Sequence, residues 1–278
     1  MSDAATHPDH PTVPAEPVVA REGWGVLHLF HRVDHAVART LSPGAVKDLV
    51  TTLEALGEDT QVHLFSVFGH KADIMTMVID PDWSVLRRVQ TAIDASAAAE
   101  ALTLEWSYLS ITEGSEYSTT PEQYREQMAE KVDDPEQLDR MVEEFAERME
   151  KYTDNKLHPR MPEWELACFY PMSHRREGED NWYSLDFERR KELMAEHGKS
   201  GRAYTGRVLQ LVSGSTGLDD WEWGVTLFAH DMYDIKDIVY RLRYDEASAR
   251  FAEFGPFVIG MRRTPAQLVT ELGLPDPA

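Results

Sequence analysis

One cysteine in 278 residues, Cys168, leaves no partner for an internal disulfide and no set of thiolates for a zinc site. Its apolar neighbours make it a small buried hydrophobe. Basic side chains are scarce as well: 28 Lys and Arg face 49 Asp and Glu, a formal net charge of −21. That field repels nucleic acid and anionic membrane, so neither is an expected partner. No stretch reaches the roughly 18 consecutive apolar residues of a membrane span. The first twenty residues, MSDAATHPDHPTVPAEPVVA, have neither a basic nor an apolar signal region, which makes them a flexible tail and a cytoplasmic location the expectation. Also missing are an HExxH pair, an EF-hand loop, a Gly-rich phosphate loop and a serine-hydrolase elbow. Their absence removes dedicated zinc or calcium sites, dinucleotide chemistry and acyl transfer from consideration.

What is present is a core-forming chain, 42% hydrophobic and 10% aromatic, that uses one pattern twice. The strand WGVLHLFHRVD precedes a helix opened by Ser42 and Pro43, which carries Val46, Leu49, Val50, Leu53 and Leu56 on one stripe and stops at Gly57. Strands VHLFSVFG and ADIMTMVID follow, then a helix from about Asp82 and the strand LTLEWSYLSIT. The second half repeats the order: strand WELACFYPM, helix DFERRKELMAEHG, strands GRVLQLVSGS and WEWGVTLFAHD, helix DIKDIVYRLRYDEASARF and strand PFVIGMRR. Each half is β-α-β-β-α-β, a ferredoxin-like unit. The expected fold is α+β, two antiparallel sheets packed face to face with helices outside. The boundaries read as a tail over 1–20, a first half over 21–115, an acidic helical connector over 116–155, a second half over 156–265 and a tail over 266–278.

Histidines are the chemistry-bearing residues that stand out. His28, His31, His35, His63 and His70 lie on first-half strands or their ends and read as structural or solvent-facing. His197 stands in the last turn of DFERRKELMAEHG beside Leu193 and Met194. On an apolar helix face a histidine is most often a satisfied core residue, and the position would also suit an axial ligand to haem iron whose second nitrogen is held by a carboxylate or carbonyl. The run FYPMSHRREGEDNWY is too polar for a core and too aromatic for a solvated loop. In Trp221-Glu222-Trp223 one tryptophan belongs to the core and the other can wall a planar ligand.

Four blocks in order, FYPMSHRREGEDNWY, ELMAEHG, LQLVSGSTGLDDWEWGVTLFA and YDEASARFAEFGPFVIG, resemble the coproheme decarboxylases of the chlorite dismutase superfamily. The motif match runs from about Lys156 to Arg262, and the first half matches in architecture. The resemblance implies a tandem ferredoxin-like fold, a ring-shaped homopentamer and an iron-porphyrin in the second half. It implies hydrogen-peroxide-dependent decarboxylation of two propionates of Fe-coproporphyrin III (coproheme) to vinyls, giving haem b as product. Carried over by motif, His197 is the iron ligand, and Tyr170 is the catalytic tyrosine whose radical takes a hydrogen from the propionate β-carbon. Lys156, Tyr170, Pro171, Met172, Ser173, His174 and Ser248 contact the substrate, with Gln210 on the open side of the iron. His158 is either a distal base toward peroxide or an exposed neighbour of the propionates. Where many members have Lys and Arg, this chain has His174 and Lys156, which keeps two potential cations and makes the first pH-dependent. Two other readings share the motifs. One is chlorite dismutase, which steers chlorite with an arginine where this chain has Gln210; the other is a haem-binding or haem-delivery protein for which Tyr170 is dispensable.

Overall fold

The computed structural model describes residues 17–277. In the first half β1 (Gly25–Val33) leads through a short α1 (His35–Ala38) into α2 (Pro43–Asp59), β2 (Gln61–Val67), β3 (Ile74–Asp80), α3 (Trp83–Ala95) and β4 (Leu102–Thr112). The connector forms α4 (Pro121–Ala129) and α5 (Pro135–Leu157). The second half comprises β5 (Leu166–His174), α6 (Phe187–Arg202), β6 (Val208–Gly214), β7 (Trp223–Ala229), α7 (Met232–Leu242), α8 (Glu246–Phe251), a three-residue β8 (Ala252–Phe254) and β9 (Val258–Arg263), followed by α9 (Pro265–Glu271). No helix among the described residues is long and apolar enough to cross a membrane.

The helix starts follow from their caps. Ser42 accepts a hydrogen bond from the Ala45 amide ahead of Pro43, and Thr120 forms a reciprocal capping box with Gln123 ahead of Pro121. α2 runs two residues past Gly57, because Thr60 rather than the glycine takes the extended conformation that ends it.

All strand pairs are antiparallel. The first half is ordered β4-β1-β3-β2 and the second β9-β5-β7-β6, the ferredoxin-like order in each case. The halves join edge to edge as well as face to face: β4 pairs with β6 and β2 with β9, which closes eight strands into a barrel. β8 adds to β5 beyond the end of β9, pairing with Met172–His174.

Strand alternation gives the barrel an aromatic interior and an apolar exterior. Phe30, Phe65, Phe169 and Phe228 meet inside with Met75, Met77 and Tyr108. Outside, α2 and α3 cover the first half's sheet over Leu27, Leu29 and Leu64. In the second half Ile235, Ile238 and Leu242 of α7 cover Leu166, Cys168 and Leu227. Cys168 is a free, buried thiol pushed up to about 12 by that burial.

The two expected tails differ from the observed chain ends. Of residues 1–20, residues 1–16 lie outside the described part, whereas Val18 and Val19 are pinned to the start of α3: the Val18 amide donates to Asp82, and Val19 bridges the same residue. Residues 265–271 form α9, capped by Thr264 and Gln267, with Leu268 and Val269 each 1% exposed in the first half's core. The run PAQLVTELG is short and its apolar residues few, so its capping box is supplemented by burial against α2 and β2.

Burial lowers His28 to about 3 and His63 to about 4, from an ordinary value of 6.5. His28 sits inside the barrel with its Nε2 3.0 Å from Thr226 Oγ1, joining the two halves. In the unfolded chain both rings protonate near 6.5, while the folded chain resists until far lower pH. The stability they contribute is therefore complete above that pH and is lost as pH falls, by about 2 kcal/mol per histidine at pH 5. Urea unfolding at pH 7 and pH 5 is expected to show a clearly lower midpoint in acid, with a smaller drop in His28→Gln; equal midpoints would contradict it.

Candidate functional site

β5 displays the central residues. Ala167 and Phe169 point into the barrel, so Cys168, Tyr170 and Met172 lie on the side covered by helices. Tyr170 is 5% exposed, and its ring stacks on Phe257 at 4.4 Å and 24°. Burial raises the phenol pKa well above its usual value, with the Arg243 guanidinium acting the other way. The hydroxyl makes no hydrogen bond among the described residues. The phenol is thus protonated, desolvated and free of a local partner.

His174 ends the same strand and does not serve as the expected cation. Its ring stacks on Trp182 at 4.2 Å and 5°, with Trp223 edge-on at 4.8 Å, and its Nδ1 is buried without a hydrogen-bond partner. Burial, aided by the nearby His197, lowers it to about 4, so at neutral pH it is an uncharged aromatic ring. The resemblance made position 174 a potential, pH-dependent cation; burial against Trp182 and Trp223 keeps the ring neutral.

His197 comes from α6, which starts at its cap Asp186. Its Nδ1 lies 3.0 Å from Asp245 Oδ2, and the Ser248 hydroxyl is 3.4 Å from the same nitrogen. Asp245 is 6% exposed, and its other oxygen accepts the Ser248 amide at 2.8 Å as the cap of α8. Burial opposes its ionisation, but the His197 and Ser248 hydrogen bonds prevail and hold the carboxyl below the usual range. A carboxylate there keeps the imidazole proton on Nδ1 and leaves the Nε2 lone pair available. This is the donor arrangement of a histidine that ligates a metal through Nε2, so His197 and Asp245 fit the iron of a haem-type group, which His197 would hold. Ser248 sits behind the imidazole, next to the nitrogen that Asp245 holds.

The sheet beneath α6 is only partly covered. Val212 on β6 is 43% exposed although it lies on the helix-facing side, and Gln210 on the same face is exposed. A Cβ on Gly201 would come within 3.3 Å of Gln210 Nε2, so the last turn of α6 passes close over that glutamine. An apolar strip therefore runs from Val212 past Trp223 to Met172 and His174, on the face that His197 overhangs.

Two carboxylates and an arginine were not singled out by sequence. Asp245 was hidden in an apparently continuous helix; the chain breaks after Leu242 and restarts with Asp245 as cap. An Asp followed three residues later by Ser, after a run of tyrosine and arginine, was the available signal. Glu222, 7% exposed, accepts the His174 amide at 2.8 Å, while its own amide donates to Ser173 Oγ at 3.2 Å. It fastens the end of β5 to the strand that carries Trp223. Arg243 lies 5.3 Å over the Phe254 ring and acts electrostatically on Tyr170.

The other expected residues are placed differently. Pro171 packs against Gly255, where a Cβ would come within 2.6 Å of its Cγ. Lys156 and His158 sit at the end of α5: Lys156 Nζ is 5.1 Å over the Tyr152 ring, and His158 binds Asp154 at 2.7 Å and packs on Trp24. Among the described residues neither touches Tyr170, His174 or His197.

Residues 43–263 match the family model described as chlorite dismutase. A curated protein of Natronomonas pharaonis with a provisional haem-binding name is 37% identical over 265 residues, covering 91% of this chain and 41% of the relative. The chain thus spans about two-fifths of that relative's length. A solved structure of a haem-binding protein from Thermus thermophilus is 36% identical with a TM-score of 0.75, over 94% of this chain and 99% of that one. Chlorite dismutase from Candidatus Nitrospira defluvii, 18% identical with a TM-score of 0.68 over 91% of this chain and 96% of that one, shares the fold. With most of its length matched by the family model, the chain belongs to the chlorite dismutase family.

Proposed function

We propose that this chain binds an iron-porphyrin through His197 Nε2 and, with hydrogen peroxide, decarboxylates two propionates of Fe-coproporphyrin III to give haem b. The observation that carries the reading is the pairing of two side chains on one sheet face. One is a buried phenol without a hydrogen-bond partner, Tyr170; the other is an imidazole on the covering helix whose far nitrogen is held by a buried carboxylate. The haem-binding names of the two relatives above 35% identity support the ligand class.

When bound, the porphyrin iron supplies the redox centre that peroxide oxidises. The chain's residues do the rest. Asp245 fixes the His197 tautomer and the orientation of its ring. Tyr170, unable to ionise in its apolar surroundings, loses its proton together with an electron and becomes a neutral radical. A phenoxyl radical takes a hydrogen atom from a propionate β-carbon, whose C–H bond acid–base groups cannot attack; the carbon radical left behind loses CO₂, a proton and one electron, the second oxidising equivalent of the peroxide taking up that electron. Each conversion balances as one propionic acid group plus one H₂O₂ giving one vinyl, one CO₂ and two waters. Arg243, beside Tyr170, takes the role of carboxylate partner that the neutral His174 cannot fill. Val212 and Trp223 would offer the apolar surface for a bound porphyrin, and the homopentameric assembly and cytoplasmic setting belong to the same proposal.

The deciding experiment loads the protein with Fe-coproporphyrin III, titrates it with peroxide and analyses the porphyrin by mass spectrometry. Stepwise loss of two formic-acid equivalents is expected. An unchanged porphyrin would move the reading to haem binding alone, and oxygen release from chlorite would move it to the dismutase. Tyr170→Phe is expected to bind coproheme with near-native affinity yet form no vinyl product, and product at the native rate would remove the radical role. His197→Ala is expected to lose the imidazole signature in the ferric absorption spectrum; an identical spectrum would reject the ligand. Asp245→Ala, measured by urea unfolding without porphyrin, is expected to cost about 1 kcal/mol through loss of the α8 cap, and Asp245→Asn to recover most of it.

A further inference from the structure

The two halves correspond strand for strand. β1 and β5 each have nine residues, and β2, β3, β6 and β7 each have seven. In both halves the first residue of the opening strand pairs with the last residue of the third: Gly25 with Asp80, and Leu166 with Ala229. This register equates His31 with Met172, Leu64 with Val212, Ile74 with Trp223 and Thr76 with Val225. On the covering helices, Leu53 stands as far from its cap Ser42 as His197 stands from Asp186. The strip beside His197 thus has a counterpart in the first half.

The counterpart is closed. Leu64 is 4% exposed where Val212 is 43%, and His31, Ile74 and Thr76 are 2%, 6% and 1%. The closing element is α9, whose Leu268 and Val269 pack over these positions together with Leu274. A cavity of about 20 Å³ remains under it, lined by all four strand residues, by Leu53 and by Leu268. His31 Nε2, in the wall of that cavity, is buried without a hydrogen-bond partner. Such an orphan calls for a ligand, since unpaired buried polar groups are rare.

We infer that the first half keeps a second ligand site, built on the same strand positions as the strip beside His197 and filled in cis by α9. With leucine at position 53 the helix offers no metal ligand, so the site does not take a haem iron as its partner. Its walls are hydrocarbon apart from His31 and Thr76. Burial, opposed by the Asp94 carboxylate, keeps His31 below its ordinary pKa, and the residues lining the cavity include no charged partner for an ion. The ligand class is a small uncharged molecule with an apolar body and one group that hydrogen-bonds to His31 Nε2. The present cavity admits about one water, so a larger occupant requires the α9 side chains to make room. The inference rests on strand register and burial, not on the porphyrin reading.

The test uses the full-length chain without porphyrin, with phenol and benzene as probes. Leu268→Ala enlarges the cavity at its roof, as Leu→Ala changes do in dry cores that then bind benzene. Phenol is expected to bind this variant at least tenfold more tightly than it binds the unmodified chain, by calorimetry, and to raise the Tm. It is expected to bind about fivefold more tightly than benzene, the worth of one neutral hydrogen bond. Adding His31→Leu is expected to erase that preference. Leu272→Ala, at a half-buried position lining the same cavity, serves as the second variant if Leu268→Ala folds poorly. Phenol binding no better than that of the unmodified chain in either variant, or a phenol preference that survives loss of His31, would overturn the inference.

Discussion

The filled interior of the barrel is the constraint on which the rest of the molecule depends. Phe30, Phe65, Phe169 and Phe228 are at most 1% exposed, and they come from both halves, so closing the barrel and filling it are one event. The pairings of β4 with β6 and of β2 with β9 also cover the edges that two separate sheets would present to other chains. A ligand of any size then has only the outer face of the sheet, between strands and helices. Whether a half can hold one is decided by how completely its helices cover that face. In the first half α2, α3 and α9 bury Leu64; in the second, α6, α7 and α8 leave Val212 open.

At the open face two buried carboxylates do similar work from opposite sides. Asp245 ties the start of α8 to His197, and Glu222 ties the end of β5, at His174, to the strand bearing Trp223. Each accepts a backbone amide and thereby fixes a histidine in place. The outcomes differ because the hydrogen bonds reach different atoms. Asp245 holds the ring of His197 and sets its tautomer, whereas Glu222 holds only the backbone of His174, whose ring keeps its place by stacking on Trp182. One imidazole is poised to donate a lone pair, and the other is an aromatic wall.

Periodicity made most of this architecture legible. The two β-α-β-β-α-β units, the caps Ser42 and Thr120, and the face of α6 that carries His197 could all be read because each depends on residues within a turn or two. Non-local packing accounts for what could not be read. The edge pairings that close the barrel leave no local pattern, α9 packs into the core through α2 and β2 although its Thr264 cap is local, and the break before Asp245 looks like one more turn of an amphipathic helix. Among the candidate site residues, Tyr170, Met172, His174, His197 and Gln210 converge on one face. Lys156 and His158 lie at the end of α5, held by Tyr152, Asp154 and Trp24. Their place is set by where α5 ends, against Thr112 of β4 and Trp24, which a motif match does not specify.

Charge distribution completes the picture of the open face. A chain with a formal charge of −21 can receive a polyanion only where its own carboxylates are already satisfied. Four carboxylates beside this site have partners. Asp245 is hydrogen-bonded by His197 and Ser248, Glu246 lies between Arg189 and Arg250, Asp180 meets Arg250, and Glu222 has the His174 amide with Arg176 4.0 Å away. Those arginines therefore bring little net positive charge to the site. Arg243 is different: it is exposed, it rests on the Phe254 ring beside Tyr170, and among the described residues it has no carboxylate partner. Resting on an aromatic face costs a guanidinium little hydration and leaves its donor fork available. With the ring of His174 uncharged, Arg243 at the end of α7 is a positive charge on the face that holds the phenol.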